Sequence, residues 1–425
     1  MANIYRNRIE RVKQTLGGGK KSAALLISSP VETLRTRDQY HAFRADNDLY
    51  YLSGIKRKNS VLLISTKDKA PLLFVRATTA KEKLWDGVAD DIASEARALG
   101  AKVIWYKDLK QEVLTALKGI EVLYFQNNPG TLSQNISRSI FDLPAHTRGP
   151  LPYAFVHSDT LLGRMRLIKD DEEVALIRRA AALTAAGLVS TLELVRPGAS
   201  EHQIGTTLDF CFRLHGGQPA FTSIIASGPA AAALHYNALK RTLKTGELLL
   251  IDCGAELDMY ASDITRVFPV NGLFSPIQKS VYTIVLRAQK AAISACRPGK
   301  KYSSVHEAAA REITEGLKEL KLLKGSTASL LKKQAYLPWF PHRIGHSLGL
   351  DVHDLDYPHL AGDLLLEPGM VLTIEPGIYF AKGKGKIPPL GIRIEDDVLV
   401  TGGKPEVLSE DCPKEIAEVE ELMRG

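Results

Sequence analysis

LLLIDCGAELDMYASDITRVFPVNG, residues 248–272, decides how the second half of this chain folds. An apolar run ends in Asp252, and eleven residues later Asp263 opens a second run, ITRVFPV. Between them lie Cys253, Gly254, Ala255, Glu256, Leu257 and Asp258, a stretch that holds turn-forming residues. Two short runs of this kind read as strands paired in a hairpin. Pairing brings both carboxylates to one end of the sheet. Taken alone, either aspartate suits turn capping equally well, so the rest of the chain has to decide between a cap and a site.

Three further stretches bear on it. PHRIGHSLGLDVHD (341–354) places His342, His346 and His353, three of the chain's eleven histidines, in one Gly-containing loop. EPGMVLTIEPGIYF (367–380) puts Glu375 at the end of a strand beside a Pro-Gly turn. GIRIEDDVLV (391–400) reads as one strand with Glu395 inside it and Arg393 two residues earlier, on the same face by the period of two. A glutamate on the buried face of an apolar strand is costly unless it is paired or ligates a metal. His235, in ALHYNA, is a further polar residue in a mostly apolar stretch. Asp252, Asp263, His346, Glu375 and Glu395 together supply four carboxylates and one imidazole. That set is too hard and too negative for one zinc ion and suits two divalent cations sharing bridging carboxylates.

Composition narrows the class. The chain has 425 residues, 45% hydrophobic and 24% charged, which is ordinary globular usage for two or three domains. The net charge of +7 is spread without a block of like charges, so it reads as a solvated basic surface and not a nucleic-acid footprint. Cys211, Cys253, Cys296 and Cys412 form no CxxC pair, which points to a reduced compartment. The first residues, MANIYRNRIERVKQTL, contain no apolar signal core, and no run approaches about 18 apolar residues. The expectation is a soluble cytoplasmic protein. GGGKKS (17–22) lacks phosphate-loop spacing, because Lys21 stands where Ser or Thr is needed. The lysine–glycine run at 382–386 reads as a basic turn between strands.

Residues 1–160 alternate short apolar strands (22–28, 60–65, 71–76, 102–106, 121–125) with helix candidates such as 79–84 and 108–118, an α/β domain. The segment 145–163 is a weak boundary with two prolines and little periodicity. From about Asp170 an acidic first turn opens a helix. Long helices (171–195, 201–215, 276–296, 303–321) then alternate with strand pairs (247–253 with 262–270, and 370–376 with 391–400). Residues 165–425 read as one α+β domain whose strands carry the five candidate ligands.

LLLIDCGAELDMYASDITRVFPVNG, HRIGHSLGLDVHD, LEPGMVLTIEPGIYF and GIRIEDD resemble the ligand-bearing segments of the pita-bread metallopeptidases, family M24. Within that family they are most similar to the Xaa-Pro aminopeptidases (aminopeptidase P), with prolidase close behind. FRADNDLYYLSG (43–54) and LWDG (84–87) resemble the aminopeptidase P N-terminal signatures, so the likeness covers nearly the whole chain.

The resemblance implies a creatinase/prolidase-type N-terminal α/β domain followed by a pita-bread catalytic domain. It implies two divalent metals, most often manganese, with cobalt or zinc possible. Asp252 and Asp263 would hold one, Asp263 and Glu395 would bridge, and His346 and Glu375 would complete the second. The reaction would release the N-terminal residue from short peptides with proline second. Glu375 would double as proton shuttle. His353 and His235 would bind the reacting carbonyl or its oxyanion, His342 would help form the proline pocket, and Arg393 would pair with a ligand carboxylate. The first domain would promote a homodimer or homotetramer and wall off the entrance, with Trp85 reaching a neighbouring subunit's cleft. No nucleic-acid or membrane partner is implied.

Two positions depart from the family pattern. Phe221 stands where tyrosine is usual, which removes a hydroxyl near the ligands. Arg343 replaces the glycine usual after the first loop histidine, a bulky cation beside His342. A dipeptidase needs a cation for the substrate's free carboxylate, yet 350–374 contains no Arg or Lys, which favours an aminopeptidase over the prolidase alternative. Arg343 or the 382–386 lysines are the remaining sources of such a clamp. A catalytically inactive binding protein is expected to have lost ligands, and all five are present. The same five argue against a metal-independent creatinase-type activity.

Overall fold

The computed structural model describes residues 2–87, 91–126, 128–354 and 364–424. The chain divides into two compact units, Met1–Met165 and Arg166–Gly425.

The first unit is built on a six-stranded mixed sheet of β1 (Ala23–Ser28), β2 (Ser60–Ser65), β3 (Leu72–Val75), β4 (Lys102–Trp105), β5 (Val122–Phe125) and β6 (Ala154–His157), in the order β4-β3-β2-β1-β5-β6. β1 and β2 are central and buried at every position, as their unbroken apolar runs require. β4 lies at one edge, and Lys102 and Trp105 there face solvent. β6 falls in the segment that reads as a boundary. It is the other edge strand, half-buried throughout, so no continuous apolar run marks it in the sequence. The helix Ala80–Asp86 starts at a capping box between Thr79 and Glu82 and carries Leu84 and Trp85, which are 82% and 75% exposed.

The second unit holds β7 (Gln218–Pro219), β8 (Ile224–Ser227), β9 (Leu248–Cys253), β10 (Ala255–Leu257), β11 (Tyr260–Ala261), β12 (Ile264–Pro269), β13 (Val371–Ile374), β14 (Gly377–Phe380), β15 (Leu390–Arg393), β16 (Asp396–Leu399) and β17 (Glu406–Val407). They form small antiparallel sheets ordered β11-β10-β7, β12-β9-β8, β13-β16-β17 and β14-β15. The helices Asp171–Thr191, Glu201–Leu214 and Pro276–Ala295 begin at side-chain caps on Asp170, Ser200 and Ser275. They and the helix Tyr302–Glu319 contribute their apolar faces to one core with the strands. By length and composition Asp171–Leu194 is apolar enough to span a membrane, but here it packs against the neighbouring helix and the β10–β11 hairpin.

The 248–272 hairpin forms as its pattern requires, with Thr265 opposite Asp252 and Ile264 opposite Cys253. Leu248–Ile251 are at most 1% exposed, and each such side chain contributes about 1.5–3 kcal/mol on burial. At Gly254 the two strands come so close that a Cβ would stand 1.8 Å from the Ser262 carbonyl oxygen. The ladder therefore breaks there and resumes as β10–β11.

The stretch 391–400 is not one strand. β15 ends at Arg393 and β16 begins at Asp396, leaving Glu395 in the break and not inside a strand. The companion stretch breaks likewise between β13 and β14, at Glu375-Pro376. β13 pairs with β16 and β14 with β15, so both chains change sheets at the same level. Pro376, with no N–H, cannot continue a ladder. Its carbonyl instead accepts from Ile394 N at 3.3 Å.

Candidate metal centre

These breaks set the site. Glu375 is held by its own N–H on the Ile344 carbonyl (2.8 Å), and Glu395 by its N–H on the Thr265 carbonyl (3.1 Å). Asp252 sits one residue before the end of β9, and Asp263 immediately precedes β12. Donor atoms of Asp263, His346 and Glu395 all lie within 4.8 Å of one another. His346 Nε2 stands 3.5 Å from Asp263 Oδ2 and 3.8 Å from Glu375 Oε1. After burial and the Glu395 charge, the Asp252 charge acts on Asp263 and helps to raise its pKa.

His346 reaches this position because its loop lies against β13. The His346 N–H donates to Thr373 Oγ1 (3.0 Å), and the Thr373 N–H donates to the His346 carbonyl (2.9 Å). Gly345 permits that approach, since a Cβ there would stand 1.9 Å from the Thr373 carbonyl oxygen. His346 Nδ1 faces the Ser347 carbonyl at 3.1 Å, and a carbonyl only accepts, so Nδ1 carries the proton and the Nε2 lone pair points at the carboxylates. Below the loop, the Asp354 carboxylate is buried between Arg166 and Lys169 Nζ (3.0 Å), and its N–H bonds the Ser347 carbonyl (2.9 Å).

On the opposite wall Thr265 Oγ1 donates to Glu395 Oε2 at 2.6 Å. The buried Arg266 donates from Nη1 to the Glu395 carbonyl (2.5 Å) and from Nη2 to Asp396 Oδ1 (2.7 Å). Arg393 donates to Asp252 Oδ2, Thr265 Oγ1 and Tyr379 Oη.

The cluster carries more negative charge than its surroundings balance. Burial first, and then the Glu395 charge, push Asp263 well above the ordinary carboxylate range. Burial and Glu395 do the same to Glu375, and burial and Asp252 raise Glu395 itself. Asp252 Oδ1 and Asp263 Oδ1 are buried without a hydrogen-bond partner among the described residues. Carboxylates crowded in this way need either protons or cations. An oxygen-rich set with one imidazole suits divalent ions that tolerate hard ligands. Burial and the neighbouring Asp252 raise the Cys253 thiol, which removes a thiolate from the donor set.

The remaining candidates fall in three groups. His342 joins the cluster's edge, with Nδ1 4.0 Å from Glu375 Oε2. Its Nδ1 donates to the Arg343 carbonyl (2.8 Å) and its Nε2 accepts from Tyr379 Oη (2.9 Å). Burial holds its pKa down to about 4, so it is neutral at physiological pH. His353 lies with its ring 4.3 Å from that of His346. His235 is exposed but close enough to His342 to act on its charge. Its loop is fixed by the buried Glu201 carboxylate, which accepts from Ser227 N, Ser227 Oγ, Tyr236 Oη and Arg241 N at 2.7–2.9 Å. Phe221 packs its ring edge at the close-approach glycine, Gly254. Trp85 belongs to the first unit and is exposed there.

Sequence reasoning passed over Tyr379, Thr265, Asp397 and Glu201. Asp397 accepts the Asp263 N–H at 3.2 and 3.3 Å. Thr265 and Asp397 adjoin motif residues, but their partners are 130 or more positions away, which spacing does not reveal.

Residues 175–402 match the model of metallopeptidase family M24, and residues 5–124 match that of the aminopeptidase P N-terminal domain. The chain is 33% identical to the Xaa-Pro aminopeptidase of Escherichia coli K12, over 100% of this chain and 99% of that one. It is 34% identical to the Haemophilus influenzae Xaa-Pro aminopeptidase, over 97% and 96% of the two chains. The solved aminopeptidase of Pseudomonas aeruginosa superposes with a TM-score of 0.91 at 35% identity, covering 100% of this chain and 98% of that one. The two domains in their order, the buried carboxylate cluster with its histidine and these full-length likenesses agree: the chain belongs to metallopeptidase family M24.

Proposed function

We propose that this protein is a dinuclear metal-dependent Xaa-Pro aminopeptidase, releasing the first residue of short peptides whose second residue is proline. The observation that carries the metal reading is the buried cluster itself. Asp263, His346 and Glu395 converge, Asp252 and Glu375 flank them, and two carboxylate oxygens lack partners. Asp252 and Asp263 would hold one divalent ion and His346 and Glu375 the other, with Asp263 and Glu395 bridging; manganese is the proposed metal. Bound there, the pair would supply a hydroxide at neutral pH and polarise the carbonyl before proline.

The chain's own residues do the rest. Crowded carboxylates attract the cationic peptide N-terminus. Arg393 fixes Asp252, and Thr265 fixes one Glu395 oxygen, so each carboxylate keeps its orientation without substrate. His342 is neutral, donates through Nδ1 to the Arg343 carbonyl and accepts through Nε2 from Tyr379, so it offers a ring face and no free acceptor. That suits proline, which has no N–H to satisfy. Glu375 would take and return the proton during cleavage, while His235 and His353 would donate to the oxyanion, typically worth ~2.7–4 kcal/mol each.

An oligomer in which the first domain limits access, with Trp85 at a neighbour's cleft, belongs to the same proposal; the exposed Leu84–Trp85 pair supports it. So does a cytoplasmic location, supported by four free cysteines, three of them buried. Prolidase is the second reading. The absence of Arg and Lys from 350–374 weighs against it, although 355–363 lie outside the described residues.

The test is release of the first residue by manganese-loaded protein, with a chelated control, from an Xaa-Pro-Xaa tripeptide, an Xaa-Pro dipeptide and a Met-Ala tripeptide. Chelator-sensitive cleavage of the first alone is expected. Preference for the dipeptide would assign a prolidase, and cleavage of none despite bound metal would remove the peptidase reading.

A further inference from the structure

Beside the metal cluster lies a second cavity of about 790 Å³, bounded by the helices Tyr302–Glu319 and Thr327–Lys332 and by the 341–344 segment. His342 is the wall it shares with the cluster, facing Glu375 and also lining the cavity. The volume suits a ligand of two or three residues, within the usual ~300–1,000 Å³ for small-molecule pockets. Its lining is mixed. Ala310, Leu331, Leu337 and Ile344 are apolar, and Arg311, Lys332 and Arg343 add three cations against one carboxylate, Glu307.

Two of those cations, Lys332 and Arg343, are not already spent. The other carboxylates on the Tyr302–Glu319 helix are engaged elsewhere, Glu312 and Glu319 with Arg287 and Glu315 with Lys318. Arg311 acts on the Glu315 charge, whereas among the described residues Lys332 and Arg343 have no ion-pair partner. His306, also in the lining, keeps Nδ1 buried and without a partner while Nε2 meets Tyr336 Oη at 3.2 Å. Unsatisfied cations and a buried ring nitrogen above an apolar floor fit one chemistry, a carboxylate attached to a small apolar body. Arginine's planar fork suits that group in particular.

We infer that this cavity is a subsite for the part of the peptide that follows proline, and that it selects a carboxylate there. The inference rests on the peptidase reading above and extends it from the scissile bond to the substrate's distal end. The carboxylate comes either from the chain end or from an acidic side chain, and the test separates the two.

Three product-like peptides without a cleavable Xaa-Pro bond are titrated into metal-loaded protein by calorimetry: Pro-Leu-Leu acid, Pro-Leu-Leu amide and Pro-Leu-Glu amide. The acid is expected to bind about fivefold more tightly than its amide, the size of a partly exposed ion pair. Recovery of that affinity by the glutamyl peptide would assign any carboxylate, and no recovery would assign the chain end. In the Arg343→Gln/Lys332→Gln variant the ratio is expected to fall to about one. With the matching Ala-Pro-Leu-Leu substrates, KM should lose its acid preference while kcat holds. Equal binding of the three peptides by the unaltered protein, or a preference that survives the double substitution, would overturn the inference. If no Ala-Pro peptide is hydrolysed, the peptidase reading falls, and the calorimetric ratio still decides the cavity.

Discussion

Arg393 Nη2 lies 2.5 Å from Asp252 Oδ2, and the same guanidinium spans Thr265 Oγ1 at 3.0 Å and Tyr379 Oη at 3.1 Å. One buried cation thus orients a candidate ligand carboxylate directly and Glu395 through the Thr265 hydroxyl. A lysine would keep the charge but not the fork. Arg393→Lys should lower metal affinity about 10–100-fold, the usual effect of losing an outer hydrogen bond to a ligand. Metal titration alongside peptide hydrolysis checks it. Unchanged affinity would mean that charge alone matters at this position.

Asp263 and Glu395 are the proposed bridges. Asp263→Ala or Glu395→Ala should abolish hydrolysis and reduce metal bound per chain. It should also remove the rise in Tm that metal gives the unaltered protein. Full activity with stoichiometric metal in Asp263→Ala would end the two-metal reading.

Asp354 gives a stability that depends on pH. Burial alone would raise its pKa, but Arg166 and then Lys169 outweigh burial and hold it below the ordinary carboxylate value. A depressed carboxylate stabilises above its unfolded pKa of ~3.9 and loses that contribution as pH falls through the lower folded value. Asp354→Asn should cost about 3–5 kcal/mol at pH 7, because the buried Lys169 loses its carboxylate while Arg166 keeps only Asp351 (2.7 Å). The gap between variant and parent should narrow below about pH 4. Urea unfolding at pH 7 and pH 3 measures both, and a gap independent of pH would remove the ion pairs from the account.

Gly345 is required by approach to β13. Gly345→Ala drives a Cβ to 1.9 Å from the Thr373 carbonyl oxygen, so the His346 loop has to move. Overpacking of this kind costs about 1–3 kcal/mol, occasionally more. A lowered Tm is expected together with weakened metal binding, because the displaced backbone carries His346. A normal Tm and normal metal binding would contradict this packing.

The 248–272 hairpin was legible because its apolar runs and turn residues are local, and local pattern governs pairing between neighbours in sequence. The five candidate ligands were legible for a related reason: a carboxylate or imidazole in an apolar run is costly without a role. The edge strand β6 was not legible, since a half-buried edge lacks the pattern of a central strand.

The sequence by itself determined which side chains could carry the chemistry and the two-part order of the chain. Only the tertiary structure decided that Glu375 and Glu395 sit where two strand pairs exchange sheets, because the bonds that hold them there, Glu375 N to the Ile344 carbonyl and Glu395 N to the Thr265 carbonyl, span 31 and 130 positions. It likewise decided that Arg393 reaches Asp252 and that Arg166 and Lys169 meet at Asp354. Such contacts depend on burial, which raises the cost of an unpaired charge until the fold supplies a partner, and no local spacing encodes which partner that will be.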